Sequence, residues 1–299
     1  MLYKPLGQTG VSISEIGIGT YAYHGSAALL RRAIEGGASF IDTAESYGTE
    51  AVIKEATQGL RERVFIATKV SSENYRRAEF LKSVDTSLRK LGIETIDLLQ
   101  LHYWNPDVPI QESMSAMGEA IAAGKVRFAG VSNFSVAQLE EAQRVQRIVS
   151  NQVRYNLIDR TMEKELLPYC QANGITVIAY SPMSKGLQRI LDCDPTGALA
   201  EVARATQKTA AQIALNWCLC QDGVVAIPSA NSMEHMLDNL GASDWRLTEQ
   251  QLAALNTRIQ FRHRGKLDQA LRKYVPHSVV RIVMQMLQRL PRGLRRRLT

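Results

Sequence analysis

Short apolar runs alternate with longer amphipathic stretches along most of this chain. The runs fall near 16–18 and at 39–41, 64–68 (VFIAT), 96–101 (IDLLQL), 126–131 (VRFAGV), 151–153, 175–179 (ITVIA) and 224–227 (VVAI). Their length and their Val and Ile content predict buried strands. Apolar residues recur at helical spacing near 26–36, 48–58, 76–91, 111–123, 135–146, 163–173, 197–220, 232–240 and 248–258. Ahead of the first run, LYKPLGQTGVSIS reads as a short hairpin turning at Gly7–Gly10. Strand–helix alternation repeated eight times implies parallel strands, because each helix carries the chain back across the sheet. Eight such units can close into a (β/α)8 TIM barrel. The rival, an open doubly wound sheet, wants a G-x-G-x-x-G turn after its first strand. GIGTY holds only the first two glycines, and no helix opens directly after it. The expected architecture is α/β: a barrel domain over residues 1–260 with an N-terminal hairpin, and a basic C-terminal helical extension over 261–299.

Charge sharpens that division. The 299 residues carry a net charge of +7, which invites a nucleic-acid partner. Residues 261–299, however, hold eleven Lys or Arg and a single acid, Asp268, which leaves the body at −3. A mildly acidic barrel argues against nucleic-acid binding, and the basicity belongs to the extension. Cys170, Cys193, Cys218 and Cys220 are few, and no accompanying His pair makes a metal pattern. MLYKPLGQTG lacks the apolar core of a secretory signal, and no run is long and apolar enough to span a bilayer. The expectation is a cytoplasmic protein with reduced thiols and no bound metal.

Barrels place their chemistry at the C-terminal ends of the strands. In FIDTAESYG, Asp42 follows the apolar pair Phe40–Ile41, and Tyr47 comes five residues later. Taken alone, this stretch is equally well a capped turn. The other strand ends decide. Lys69 follows VFIAT, His102 follows LLQL, Ser132 and Asn133 follow the 126–131 run, Gln152 lies on the sixth strand, and Tyr180 and Ser181 follow ITVIA. An acid, an ammonium, an imidazole and a phenol would then share one mouth of one barrel.

FIDTAESYG, ATKV, LLQLH, GVSNFS, NQVRYN and AYSP stand in order in this chain, and together they resemble the aldo-keto reductase family over about residues 2–258. The resemblance implies a catalytic tetrad of Asp42, Tyr47, Lys69 and His102. It implies an NADPH site, with NADH possible, in which Ser132, Asn133 and Gln152 hold the nicotinamide carboxamide and Tyr180 stacks on the ring. Gly19 and Thr20 belong to the same coenzyme set. Ser181, Met183 and Lys185 would meet the pyrophosphate, and Ser229, Asn231, His235, Asp238 and Asn239 the adenosine end. The implied reaction is reduction of an aldehyde or ketone by hydride transfer, with Tyr47 as general acid. A phenol ordinarily ionises near pH 10, so the Lys69 ammonium, kept charged by Asp42, is expected to lower that value.

Tyr21, Tyr23, His24, Tyr103 and Trp104 are the expected substrate walls, suited to small-molecule carbonyls with apolar groups. At the adenosine end, Ser229 and His235 stand where well-known relatives carry Lys and Arg, which weakens the grip on a 2′-phosphate. The rival function is an NADPH-binding regulatory subunit, resembling potassium-channel β subunits. In the extension, VVRIVMQMLQRL at 279–290 has an amphipathic helical pattern followed by Arg295–Arg297. Two readings stand: packing on the barrel or a second subunit, and peripheral contact with an anionic membrane surface.

Overall fold

The apolar runs pair side by side in chain order, as strands joined by return helices do. A computed structural model describes residues 1–261, so the readings made for the 279–290 helix and the Arg295–Arg297 end lie outside the described residues. The antiparallel hairpin is β1 (Tyr3–Pro5) with β2 (Ser12–Ser14). The parallel strands are β3 (Ile18–Gly19), β4 (Phe40–Asp42), β5 (Phe65–Val70), β6 (Ile96–Leu101), β7 (Val126–Ser132), β8 (Ile148–Arg154), β9 (Thr176–Tyr180) and β10 (Val224–Ile227), each beside its neighbour in sequence. The segment around β3 closes the ring. Ile16 bridges Ala226 in parallel, and the Gly19 N–H donates to the Pro228 carbonyl at 2.9 Å. The backbones approach so closely here that a Cβ on Gly19 would lie 2.6 Å from the Ile227 oxygen, so only glycine fits the seam.

Helices α1 (Ala27–Glu35), α2 (Glu50–Thr57), α3 (Arg77–Leu91), α4 (Ile110–Ala122), α5 (Val136–Gln143) and α6 (Leu166–Ala172) are followed by α7 (Gln188–Leu191), α8 (Ala198–Thr206), α9 (Ala210–Leu219), α10 (Met233–Leu240) and α11 (Glu249–Arg258). In α3 the buried positions are Phe80, Ser83, Val84, Ser87 and Leu91, the stripe that a 3.6-residue period turns toward the strands. The helix expected over 197–220 is two. Gln207 takes a left-handed φ of +56°. Thr209 and Gln212 then form a capping box that restarts the chain as α9.

The barrel interior is a second core. Phe40, Phe65, Leu98, Val149, Ile178 and Val225 face inward near the strand starts, and Leu6 and Ile13 of the hairpin plug that end. Lys4 fastens the plug by donating to the carbonyls of Leu219, Gln221 and Val224 at 2.5, 3.1 and 2.8 Å, where the C-terminal end of α9 attracts a cation. With one end closed by apolar packing, the polar strand ends gather at the other.

Candidate active site

Strand register sets the floor of the mouth. Lys69 pairs with Gln100 between β5 and β6, and Ser132 with Gln152 between β7 and β8. Asp42, at the last position of β4, is 2% exposed and takes three donors. Lys69 Nζ reaches Oδ2 at 2.6 Å, while Gln152 Nε2 and Gln100 Nε2 reach Oδ1 at 2.6 and 3.3 Å. The Lys69 ammonium also donates to the Thr43 carbonyl at 2.8 Å. Burial pushes the Lys69 pKa down, and the adjoining Asp42 carboxylate opposes that shift.

Tyr47 ends a 3-10 turn, Glu45–Tyr47, stopped by Gly48 at φ +73°. Its hydroxyl lies 3.4 Å from His102 Nε2, and Lys69 Nζ sits 5.1 Å from its ring centroid. Tyr21 packs edge-on to the Tyr47 ring at 5.2 Å, and His102 stacks on Tyr103 at 4.7 Å. The expected lowering of the phenol's pKa is not what this arrangement produces. Burial raises it and the Asp42 charge raises it further, so Tyr47 is a protonated phenol at neutral pH. The four expected groups are together, and the phenol among them keeps its proton.

A cleft of about 800 Å3 opens over these residues, within the usual range for a ligand site. Gly19, Tyr21, Asp42, Tyr47, His102, Tyr103, Ser132, Asn133, Gln152, Tyr180, Ser181, Met183, Lys185, Ser229 and Asn231 line it. The Tyr180 hydroxyl donates to Asn133 Oδ1 at 2.9 Å, and Asn133 Nδ2 donates to Ser132 Oγ at 2.9 Å. Ser181, Ser184 and Lys185 have φ of +49°, +55° and +63°, a run of left-handed residues of the kind strained functional loops hold. Asn239, on α10, is buried outside the cleft lining, and its Nδ2 has no hydrogen-bond partner. The polar groups that line the cleft, from Asn133 and Gln152 through Ser181 and Lys185 to Ser229 and Asn231, fit an elongated dinucleotide.

Other expected residues lie elsewhere. Tyr23 is 6% exposed and donates to the Ser26 carbonyl at 2.8 Å, closing the entry to α1; burial lifts its pKa to about 12. Trp104 packs edge-on to Phe134 at 5.4 Å, and neither Trp104 nor the exposed His24 lines the cleft. Thr20 is buried beside Thr49, with its hydroxyl on the Asp42 carbonyl. Asp238 accepts from Thr209 at 2.8 Å, away from the cleft, and His235 is exposed on α10.

Sequence reasoning passed over Gln100, Glu45 and Arg154. Gln100 sits two residues before His102, on the inward face of β6. Glu45 accepts from the Ser71 N–H at 2.6 Å and from Asn74 Nδ2 at 3.0 Å, tying the Tyr47 turn to the loop after β5. Arg154 ends β8 and lines the cleft.

The model of the Aldo/keto reductase family matches residues 10–259. The chain belongs to the aldo/keto reductase family. It is similar to the methylglyoxal reductase YeaE of Escherichia coli K12, 36% identical over 260 residues that cover 82% of this chain and 91% of the relative. Among solved structures, the thermostable aldo-keto reductase Tm1743, in complex with the inhibitor epalrestat, superposes with a TM-score of 0.81 at 39% identity, covering 86% of this chain and 99% of that one. An aldo-keto reductase from Klebsiella pneumoniae in complex with NADPH gives a TM-score of 0.79 at 33% identity, covering 87% and 99%. By family this chain is an oxidoreductase that reduces carbonyl groups. No helix among the described residues is long and apolar enough to cross a membrane.

Proposed function

We propose that this aldo-keto reductase reduces a small aldehyde or ketone to the alcohol with NADPH, and that Tyr47 gives the carbonyl oxygen its proton. One observation carries the assignment of the acid: the Tyr47 hydroxyl faces His102 Nε2 at 3.4 Å, over an ammonium that Asp42 fixes in place. Bound NADPH supplies the hydride. The chain supplies position and the proton. Asn133 and Gln152 stand at the carboxamide; with its nitrogen committed to Asp42, Gln152 has its carbonyl oxygen to offer an amide N–H. Tyr180 offers a ring face, and the Ser181–Lys185 turn lies along the route to the pyrophosphate. His102 orients the substrate oxygen beside Tyr47. A coenzyme-binding regulatory subunit would have no use for a proton donor in this position.

The similarity to a methylglyoxal reductase makes methylglyoxal the first substrate to try. The test is Tyr47→Phe, which removes only the hydroxyl. Reduction should fall roughly 10²- to 10⁴-fold, the usual loss for a positioned acid, while NADPH binds with nearly unchanged affinity. Turnover close to wild type would remove Tyr47 from the role.

A further inference from the structure

Arg154 lines the cleft, and the proposed chemistry leaves its charge unused. It follows Gln152 by two on β8, so both side chains rise from the same face of the strand. It pairs in register with Tyr180, and its guanidinium carbon lies 5.9 Å from the Tyr180 ring centroid. The Nε is buried without a hydrogen-bond partner, and no carboxylate pairs with the guanidinium among the described residues. Lys69, deeper in the same mouth, shows the contrast: its ammonium is held by Asp42 at 2.6 Å. A positive charge therefore lines the mouth beside Tyr180, with no ion-pair partner among the described residues.

We propose that Arg154 makes the site discriminate between the redox forms of the coenzyme by disfavouring the oxidised one. The inference rests on the reading that the nicotinamide lies against Tyr180. Passing from NADPH to NADP+ turns a neutral dihydropyridine into a cationic ring and changes nothing else in the coenzyme's charge. A cation beside Tyr180 repels the oxidised ring and leaves the reduced one nearly untouched. Two unit charges about 8 Å apart at an effective dielectric of about 30 repel by an amount worth roughly tenfold in relative affinity. NADPH is thereby bound in preference to NADP+, and spent coenzyme is released more readily. An anchor on a coenzyme phosphate is a different role, because the phosphates are common to both redox forms.

The test is a pair of binding titrations, of NADPH and of NADP+, followed by intrinsic fluorescence. Arg154→Gln should tighten NADP+ about tenfold and leave NADPH within about twofold. Arg154→Met, which keeps the aliphatic stem, should do the same, and Arg154→Lys should hold the wild-type ratio. Equal weakening of both coenzymes in Arg154→Gln and Arg154→Met would make Arg154 a phosphate anchor and overturn the proposal, as would unchanged dissociation constants for both. Tyr180→Ala tests the underlying reading separately. It should weaken both coenzymes, and unaltered binding there would move the nicotinamide away from Tyr180 whatever the Arg154 variants show.

Discussion

Gln152 donates its amide nitrogen to Asp42 at 2.6 Å, across the mouth from β8 to β4. The contact joins the coenzyme side of the cleft to the Lys69–Asp42 pair. Replacing Gln152 with Glu sets one carboxylate against another in a buried place. The two would share a proton, which raises the folded-state pKa of the pair above its unfolded value. Stability of Gln152→Glu should therefore be fully present at acidic pH and lost as pH rises through that raised value. Denaturant midpoints at about pH 5 and about pH 8 decide it: the variant should fall behind wild type at the higher pH, and a constant gap would sink the idea.

The raised pKa of Tyr47 has a kinetic counterpart. A general acid must be protonated, so reduction fails only as pH climbs through its pKa. Because burial and Asp42 place that above the ordinary phenol value of about 10, Tyr47 should impose no alkaline limb on kcat/KM for carbonyl reduction below about pH 10. A limb near neutrality that disappears in the low residual activity of Tyr47→Phe would contradict this.

Asp42→Asn acts on the neighbour. Asp42 is the group that holds the buried ammonium of Lys69 charged against desolvation. Its amide replacement accepts through one oxygen where the carboxylate accepts three donors. Lys69 should become neutral at lower pH, and breaking a buried pair typically costs about 3–5 kcal/mol. Both a lower unfolding midpoint and at least a hundredfold loss in kcat, of order 10², are expected. A variant with wild-type kcat would separate Asp42 from the chemistry.

Coenzyme choice depends on the far end of the cleft. His235 is exposed on the first turns of α10, whose N-cap is Ser232. A guanidinium there could grip a 2′-phosphate through two N–H groups. His235→Arg should raise the NADPH/NADH ratio of kcat/KM by roughly fivefold, the scale of one charge-assisted hydrogen bond at an exposed site. No rise would place the phosphate elsewhere.

Much of this site could be read from the chain because barrel geometry converts strand ends into neighbours. Asp42, Lys69 and His102 each follow an apolar run, so locating the runs located them. Gln100 obeyed the same logic. It is the polar residue at an inward position of IDLLQL, and nothing in the run marks it as a donor to Asp42. Arg154 was visible in NQVRYN, but that its Nε is buried without a hydrogen-bond partner is something no motif encodes. Tyr23 and Trp104 failed for a different reason. They sit on loops, where backbone conformation decides direction: Ala22 turns at φ +54°, and the next residue points into the protein. The break between α8 and α9 had a signal in the Thr209–Gln212 spacing, which the continuous apolar pattern of 197–220 overrode.

The opposite end of the barrel allows stability to be separated from chemistry. Leu6 is fully buried, packed with Ile13 against the inward residues near the strand starts. The hairpin is held by polar ties as well: the Gly7 N–H donates to Thr176 Oγ1 at 2.7 Å, and Lys4 is bound to three carbonyls. Leu6→Ala leaves those ties in place and opens a cavity under the barrel floor. Truncations of this kind cost about 2–5 kcal/mol, the value depending on how far the walls relax. The plug closes the end remote from Tyr47 and His102, so kcat and KM at room temperature should stay within about twofold of wild type while the unfolding midpoint falls. A large loss of activity in protein that remains fully folded would mean that the plug also sets the geometry of the mouth, through the strands that connect the two ends.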